Sequence, residues 1–198
     1  MRAAPTARVK VWDRLVRSLH WLLVLTVVYA WASGHWPVLG TRIARQDAHE
    51  LAGYAAAAIV ALRLVWGFCG SPYARFAQFM RGPRATWDYF RLLLAGREPR
   101  TLGHNPLGAW MIAALLACVA GITLTGFLYT TDWLYGYTWL EALHRGLAWL
   151  LAALVFGHLA GVAFTSVRHR ENLVTAMFTG YKRSGTGSGE AHPEQGEK

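Results

Sequence analysis

Four long apolar stretches constrain this chain of 198 residues more than any other feature. The stretches cover residues 18–39, 48–69, 105–129 and 140–166. A helix needs about 20 predominantly apolar residues to cross the hydrocarbon core of a bilayer. Each stretch is therefore predicted to be a transmembrane helix, whose backbone polar groups are satisfied internally. The first stretch is longer than the apolar region of a signal peptide and lacks a clean cleavage site, so we expect it to remain as a span.

The spans predict an all-α fold with one domain. Residues 1–183 are expected to form a transmembrane four-helix bundle. The last segment, 184–198, is rich in glycine, serine and charge. Such a segment cannot bury enough apolar surface to fold, so it is predicted to be a disordered tail.

Basic residues are distributed unevenly between the segments that connect the spans. Lysine and arginine concentrate in the N-terminal segment, in the 71–106 connection and after residue 167, and are sparse in the other two connections. The positive-inside rule then places both termini in the cytoplasm of a multi-pass protein in the bacterial inner membrane. The net charge of +9 is explained by this topology, so membrane lipid is expected around the protein and nucleic acid is not expected as a partner.

Four histidines lie within or at the ends of the predicted spans. They are His20, His49, His144 and His158. An ionisable group at membrane depth is costly, so each needs a partner or a function. His144 and His158 share one helical face and lie about 21 Å apart along the fourth span. His20 is at the inner end of its span and His49 at the outer end of its own, so the depths match in pairs.

Two histidine pairs at matched depths predict two haem sites. Haem iron can take an imidazole on each face of the porphyrin, so two helices must hold each haem. The predicted iron ligands are His20 with His158 near the inner surface and His49 with His144 near the outer one. No two of these histidines have the i, i+3 or i, i+4 spacing typical of a single metal ion on one helix. The chain has no C-x-x-C-H motif, which excludes covalent attachment and indicates two haems of the b type.

Two arginines lie at the levels of the predicted haems. Arg63 interrupts the second span 14 residues after His49, at the inner level. A buried guanidinium needs an anion, and a haem propionate accepts two of its hydrogen bonds. The alternative is that Arg63 extends to the inner interface. Arg145 lies at the outer level and is a second candidate for binding a propionate.

Three other histidines lie near the ends of the spans, and two of them are alternative iron ligands. His35 is an alternative to His49 at the outer end, and His104 is an alternative to His20 at the inner end. His169 lies beyond the apolar part of the fourth span. We expect all three to be interfacial residues or to contact propionates.

Recognisable motifs occur along almost the whole chain. They are VWDRLVRSLHWLL at 11–23, HELAGY at 49–54, RLVWGFCGSPYARF at 63–76, GHNPLGAWM at 103–111, LHRGLAWLLAALVFGHLAGV at 143–162 and HRENLVTAMFTGYKR at 169–183. Together they resemble the bacterial cytochrome b561 family, and within it the b-type subunits of nickel–iron hydrogenases. The resemblance implies a four-helix bundle with two haems b. It also implies one histidine ligand from each of the first two helices and two from the fourth.

Function is predicted from these observations together. We expect a dihaem b-type membrane cytochrome that transfers electrons between an outer-face redox partner and the quinone pool. The partner would be a hydrogenase, a dehydrogenase or a cytochrome c. Two alternatives stay open: a self-contained superoxide:quinone oxidoreductase of the same fold, and a non-redox membrane scaffold or transporter. Whether the chain is itself an enzyme also stays open.

Overall fold

The computed structural model describes residues 8–36 and 41–183. The predicted tail over 184–198 lies outside these residues. The helices are α1 (Arg14–His35), α2 (Arg42–Cys69), α3 (Phe76–Phe79), α4 (Pro83–Leu94), α5 (Pro106–Tyr129), α6 (Thr138–Arg168) and α7 (Leu173–Thr179), with a 3-10 turn at Pro72–Ala74. The strands are β1 (Arg8–Lys10) and β2 (Tyr181–Arg183).

Helices α1, α2, α5 and α6 are long and apolar enough to cross a membrane. This confirms the four predicted spans. The first two helices begin earlier than the apolar stretches because polar caps set their ends. The carboxylate of Asp13 accepts a hydrogen bond of 2.8 Å from the backbone N–H of Val16. The hydroxyl of Thr41 accepts one of 3.3 Å from the backbone N–H of Ala44. Each side chain satisfies a backbone donor that has no partner within the helix.

The four spans pack as two helical hairpins, α1–α2 and α5–α6, which contact each other through α2 and α5. Helix α1 packs on α2, α5 packs on α6, and α2 packs on α5. The backbones of α1 and α6 are not a closely packed pair, but Trp31 of α1 meets Trp149 of α6 with ring centres 6.1 Å apart. The central cluster consists of Ala56, Val60, Leu116, Cys118, Val119 and Leu151. Several of these side chains are small, which lets helix backbones approach closely in lipid. Large apolar side chains such as Leu25, Phe68 and Phe156 point outward, as a lipid-facing surface requires.

A small cap closes one end of the bundle. Strands β1 and β2 pair antiparallel, with Val9 opposite Lys182. Next to this pair, Val11, Trp12 and Ala176 form a second buried cluster. The fold is therefore mostly helical, as predicted, with a two-stranded sheet that the sequence analysis did not include. The pairing brings the two ends of the described chain to the same end of the bundle.

Candidate functional site

His49 on α2 and His144 on α6 face each other. Their imidazole ring centres lie 6.2 Å apart, and the ring planes are inclined at 70°. Helices α2 and α6 are not among the directly packed pairs, so the two imidazoles extend toward each other between them. The structure thus brings together the two histidines that the sequence analysis paired at the outer level.

The ring of His49 is oriented by the preceding helix. Its Nδ1 lies 2.9 Å from the carbonyl oxygen of Ala30 and 3.2 Å from the hydroxyl of Ser33. A carbonyl can only accept a hydrogen bond, so Nδ1 carries the proton in the neutral ring. The other nitrogen, Nε2, then keeps a lone pair that is available to a metal.

His144 is oriented in the same way by α5. Its Nδ1 lies 3.1 Å from the carbonyl oxygen of Ile122 and 3.0 Å from the hydroxyl of Thr125. The same reasoning puts the proton on Nδ1 and leaves Nε2 free. Metal-binding histidines usually donate their second N–H to a carbonyl or carboxylate, which fixes the ring and raises its basicity. Both outer histidines therefore have the surroundings of metal ligands.

A glycine follows each of these hydroxyl residues and lets the ring approach. A Cβ at Gly34 would lie 3.7 Å from Cε1 of His49, which is ordinary contact. A Cβ at Gly126 would lie 3.3 Å from Cε1 of His144, which is tighter than usual. The α1–α2 and α5–α6 hairpins thus repeat one local arrangement, in which a hydroxyl–glycine pair packs on a histidine of the next helix.

Sequence reasoning missed this arrangement. The available signal was the pair of dipeptides, Ser33-Gly34 and Thr125-Gly126, each in the span before a candidate ligand. That signal was weak because the register between two helices depends on the loop that joins them.

The outer pair fits a haem iron. A metal that binds one imidazole nitrogen on each side at about 2 Å holds those nitrogens about 4 Å apart. Adding the distance from each nitrogen to its ring centre gives a separation close to the observed 6.2 Å. A flat macrocycle also needs room beside the ligands. A Cβ built at Gly53, one turn after His49, or at Gly146, close after His144, would meet no atom within 4 Å.

At the other end of the bundle, His20 on α1 lies near His158 on α6. The two imidazoles are close enough for a charge on one to act on the other. The ring of His20 also packs edge-on against Trp21, with ring centres 5.1 Å apart. On α6, Gly157 packs against Met111, whereas a Cβ at Gly161 would meet no atom within 4 Å. Of the two glycines around His158, Gly157 is therefore a helix-packing residue and Gly161 leaves open space.

His104 lies beside this inner pair and packs into the cap. Its ring centre is 4.5 Å from that of Trp12 and 4.7 Å from that of Phe79. Burial, reinforced by the nearby charge of Lys182, lowers the pKa of His104 to about 3. The imidazole is therefore neutral at physiological pH, and its aromatic neighbours hold it as part of the cap.

Arg63 is buried near the inner end of α2. One terminal nitrogen donates to the carbonyl of Ala74 at 3.2 Å, and the guanidinium lies over the ring of Phe76, 5.1 Å from its centre. The other terminal nitrogen is buried without a hydrogen-bond partner among the described residues. The carboxylate of Asp13 is near enough to act on the guanidinium electrostatically, but no direct ion pair forms between their described atoms. The unpartnered nitrogen therefore keeps capacity to bind an anion.

Two other outer residues contact different groups. Arg145 is exposed and forms an ion pair of 3.1 Å with Glu141, one turn earlier on α6. His35 stacks on Trp31, with ring centres 4.2 Å apart, and its Nδ1 lies 2.8 Å from the Trp31 carbonyl oxygen. The carboxylate of Glu141 is therefore the anion that Arg145 contacts in this structure. His35 is a packing partner of Trp31.

Four membrane-length helices with the facing pair His49 and His144 between two of them are typical of membrane-embedded cytochromes. The chain belongs to the prokaryotic cytochrome b561 family, whose model matches residues 11–180. It is thus a multi-pass membrane cytochrome that carries b-type haem and acts in electron transfer. This confirms the resemblance inferred from the sequence.

Curated relatives point to one branch of this family. The probable Ni/Fe-hydrogenase 1 B-type cytochrome subunit of Escherichia coli strain K12 is 22% identical over 213 residues, which cover 87% of this chain and 89% of the relative. The probable Ni/Fe-hydrogenase B-type cytochrome subunit of Bradyrhizobium diazoefficiens is 23% identical, covering 92% and 89%. That of Azotobacter chroococcum is 24% identical, covering 88% of each. No solved structure matches the chain.

Proposed function

We propose that this protein holds two haems b and conducts electrons across the bacterial inner membrane between an outer redox partner and quinone. The iron ligands are His49 with His144 at the outer end and His20 with His158 at the inner end. The observation that carries the proposal is the opposed outer pair, with ring centres 6.2 Å apart and each Nδ1 hydrogen-bonded to a neighbouring helix. Bound haem supplies one-electron chemistry between ferric and ferrous iron.

The protein's own groups orient the histidine ligands and shield the path between the two haem sites from water. The carbonyls of Ala30 and Ile122 hold Nδ1 of the outer imidazoles and leave Nε2 of each free to bind iron. The buried central cluster that includes Ala56, Val60 and Leu116 keeps water from the space between the two levels, which favours electron transfer over side reactions. His144 and His158 lie on one face of α6, separated by about 21 Å along its axis. Two porphyrins held at these levels would place their edges within tunnelling distance.

The orientation of the protein in the membrane follows from the distribution of its basic residues. The end of the bundle that carries the β1–β2 cap also carries the basic connections, and basic connections face the cytoplasm. The inner pair then lies near the cytoplasmic surface and the outer pair near the periplasmic one. The curated relatives are named as hydrogenase cytochrome subunits, so we propose a hydrogenase as the outer partner. With that partner, electrons would enter at the site held by His49 and His144 and would leave toward quinone at the site held by His20 and His158.

Haem quantification of the purified full-length chain tests this function. Dithionite-reduced spectra, together with protein determination, should give two haems b per chain. In membranes that contain the cognate hydrogenase, hydrogen should reduce both haems, and added oxidised quinone should reoxidise them. A colourless protein, or one haem per chain, would contradict the proposal. Two haems that hydrogen never reduces would refute the hydrogenase partner alone.

A further inference from the structure

A cavity of about 260 Å³ opens beside His49 at the outer end of the bundle. It is lined by Ser33, Gly34, Arg42, Arg45, Gln46 and His49. None of the described residues that line it is acidic. The cavity therefore joins a candidate haem ligand to two arginines with no carboxylate from its lining to neutralise them.

Arg45 lies at the centre of this arrangement. One of its terminal nitrogens donates to the carbonyls of Ser33 and Trp36, at 3.4 Å each. These carbonyls lie at the C-terminal end of α1, where a cation is favourable. Its Nε is buried and has no hydrogen-bond partner among the described residues. A guanidinium offers five N–H donors in a planar fork, so two long bonds from one nitrogen leave most of this fork unused.

The position of Arg45 suits a ligand that His49 also holds. The two residues are four positions apart on α2, so they share one helical face. Arg45 lies nearer the start of α2, which is its outer end. A porphyrin bound to His49 would carry its carboxylates at its edge, and a planar fork matches a carboxylate well.

We propose that Arg45, with Arg42 at the rim of the cavity, binds a propionate of the outer haem. This inference rests on the proposed function, since it requires a haem at His49. It is an alternative to the sequence-based prediction that Arg145 binds a propionate of the outer haem. Arg145 already pairs with Glu141 at 3.1 Å, whereas the fork of Arg45 has no carboxylate in the cavity. The propionate would engage Nε and the second terminal nitrogen, while the first continues to cap α1.

The test compares Arg45→Gln with Arg145→Gln in the full-length, haem-loaded protein. The readout is the midpoint potential of each haem by spectroelectrochemical titration, with the outer haem identified as the one that His144→Ala removes. A positive charge beside a propionate favours the ferrous form, so Arg45→Gln should lower the outer potential and leave the inner one unchanged. Arg145→Gln should move neither potential. Thermal unfolding is followed in parallel.

Other outcomes decide against the inference. An unfolding temperature that falls with no change in the outer potential would mean that Arg45 only caps α1. A larger shift in Arg145→Gln than in Arg45→Gln would return the role to Arg145. If Arg45→Gln does not assemble, Arg45→Lys keeps the charge but loses the planar fork, so the inference requires weaker retention of the outer haem with little change in its potential, and retention equal to that of the unsubstituted protein would contradict it. Two haems per chain with unmoved potentials refute this inference alone, whereas one haem per chain in the unsubstituted protein refutes the proposed function.

Discussion

His49 and His144 face each other with ring centres 6.2 Å apart, and each has its Nδ1 against a carbonyl of the helix before it. In both helical hairpins, a backbone carbonyl of the first helix therefore orients the histidine of the second. Because the free Nε2 atoms are set by these hydrogen bonds, the outer site is formed by the protein itself.

Replacement of Thr125 by valine should weaken the outer haem site. The Thr125 hydroxyl lies 3.0 Å from Nδ1 of His144, and valine keeps the shape without the hydrogen bond. Loss of a partner that orients a metal ligand typically lowers metal affinity by about 10–100-fold. We expect a decrease of about tenfold in retention of the outer haem, because the Ile122 carbonyl still holds the ring. Haem retention during purification and the reduced spectrum measure the change.

Thr123→Val is the matched control for this change. Its hydroxyl bonds the Ala120 carbonyl at 3.1 Å on the exposed side of the same helix. The outer haem should be unaffected by this substitution. Equal losses in the two variants would show that Thr125 acts through the stability of α5 and not through His144.

Arg63→Leu should lower the midpoint potential of the inner haem. The buried guanidinium donates to a carbonyl and lies over the ring of Phe76, and its second terminal nitrogen has no hydrogen-bond partner among the described residues, so a haem propionate is its expected ligand. Removal of the positive charge favours the ferric form, which shifts the potential downward. Redox titration measures the shift, with the exposed Arg91→Leu as control. An unchanged inner potential would mean that Arg63 only ties α2 to the segment that follows it.

Asp13→Asn should destabilise the inner end of the bundle. Asp13 caps α1 through Val16 and accepts hydrogen bonds from Trp66 and Ser71, so it joins the start of α1 to the end of α2. Hydrogen bonds to a charged group contribute about 1.5–3 kcal/mol. Asparagine keeps some of these bonds, so a loss of about 1–2 kcal/mol is expected. Thermal unfolding in detergent measures it, and the exposed Asp88→Asn serves as control.

The effect of Asp13 should depend on pH. Burial raises the pKa of Asp13, but the hydrogen bonds from Ser71, Val16 and Trp66 outweigh it and hold the pKa below its ordinary value. A carboxyl group with a lowered pKa in the folded state stabilises fully above its unfolded pKa of about 3.9. That stabilisation is lost as the pH falls through the folded pKa. The difference between wild type and Asp13→Asn should therefore shrink in acid, and a difference that grows in acid would contradict the assignment.

Features that depend on local sequence could be predicted, whereas features that depend on contacts between helices could not. The four spans and the matched depths of His49 and His144 follow from hydropathy and the rise of a helix, which are local properties. The roles of Ser33 and Arg45 depend on how neighbouring helices are registered and on which side chains they bring near a ring. The role of Arg145 stays a prediction. Its level in the membrane was inferred from spacing, and spacing could not show its ion pair with Glu141.

The β1–β2 pair was missed for a related reason. Each strand has only three residues, and its partner lies at the far end of the chain. Such short segments carry no periodic pattern that distinguishes a strand from a basic arm. The pairing becomes visible only when the bundle brings both segments to one end.

The most direct test of the central claim is the haem content of two single variants, His144→Ala and His158→Ala, in the full-length protein. Each should retain one haem per chain, and the two retained haems should differ in reduced spectrum and potential, since one is the inner haem and the other the outer. Two haems retained in either variant, or the same haem lost from both, would contradict the pairing of His49 with His144 and of His20 with His158.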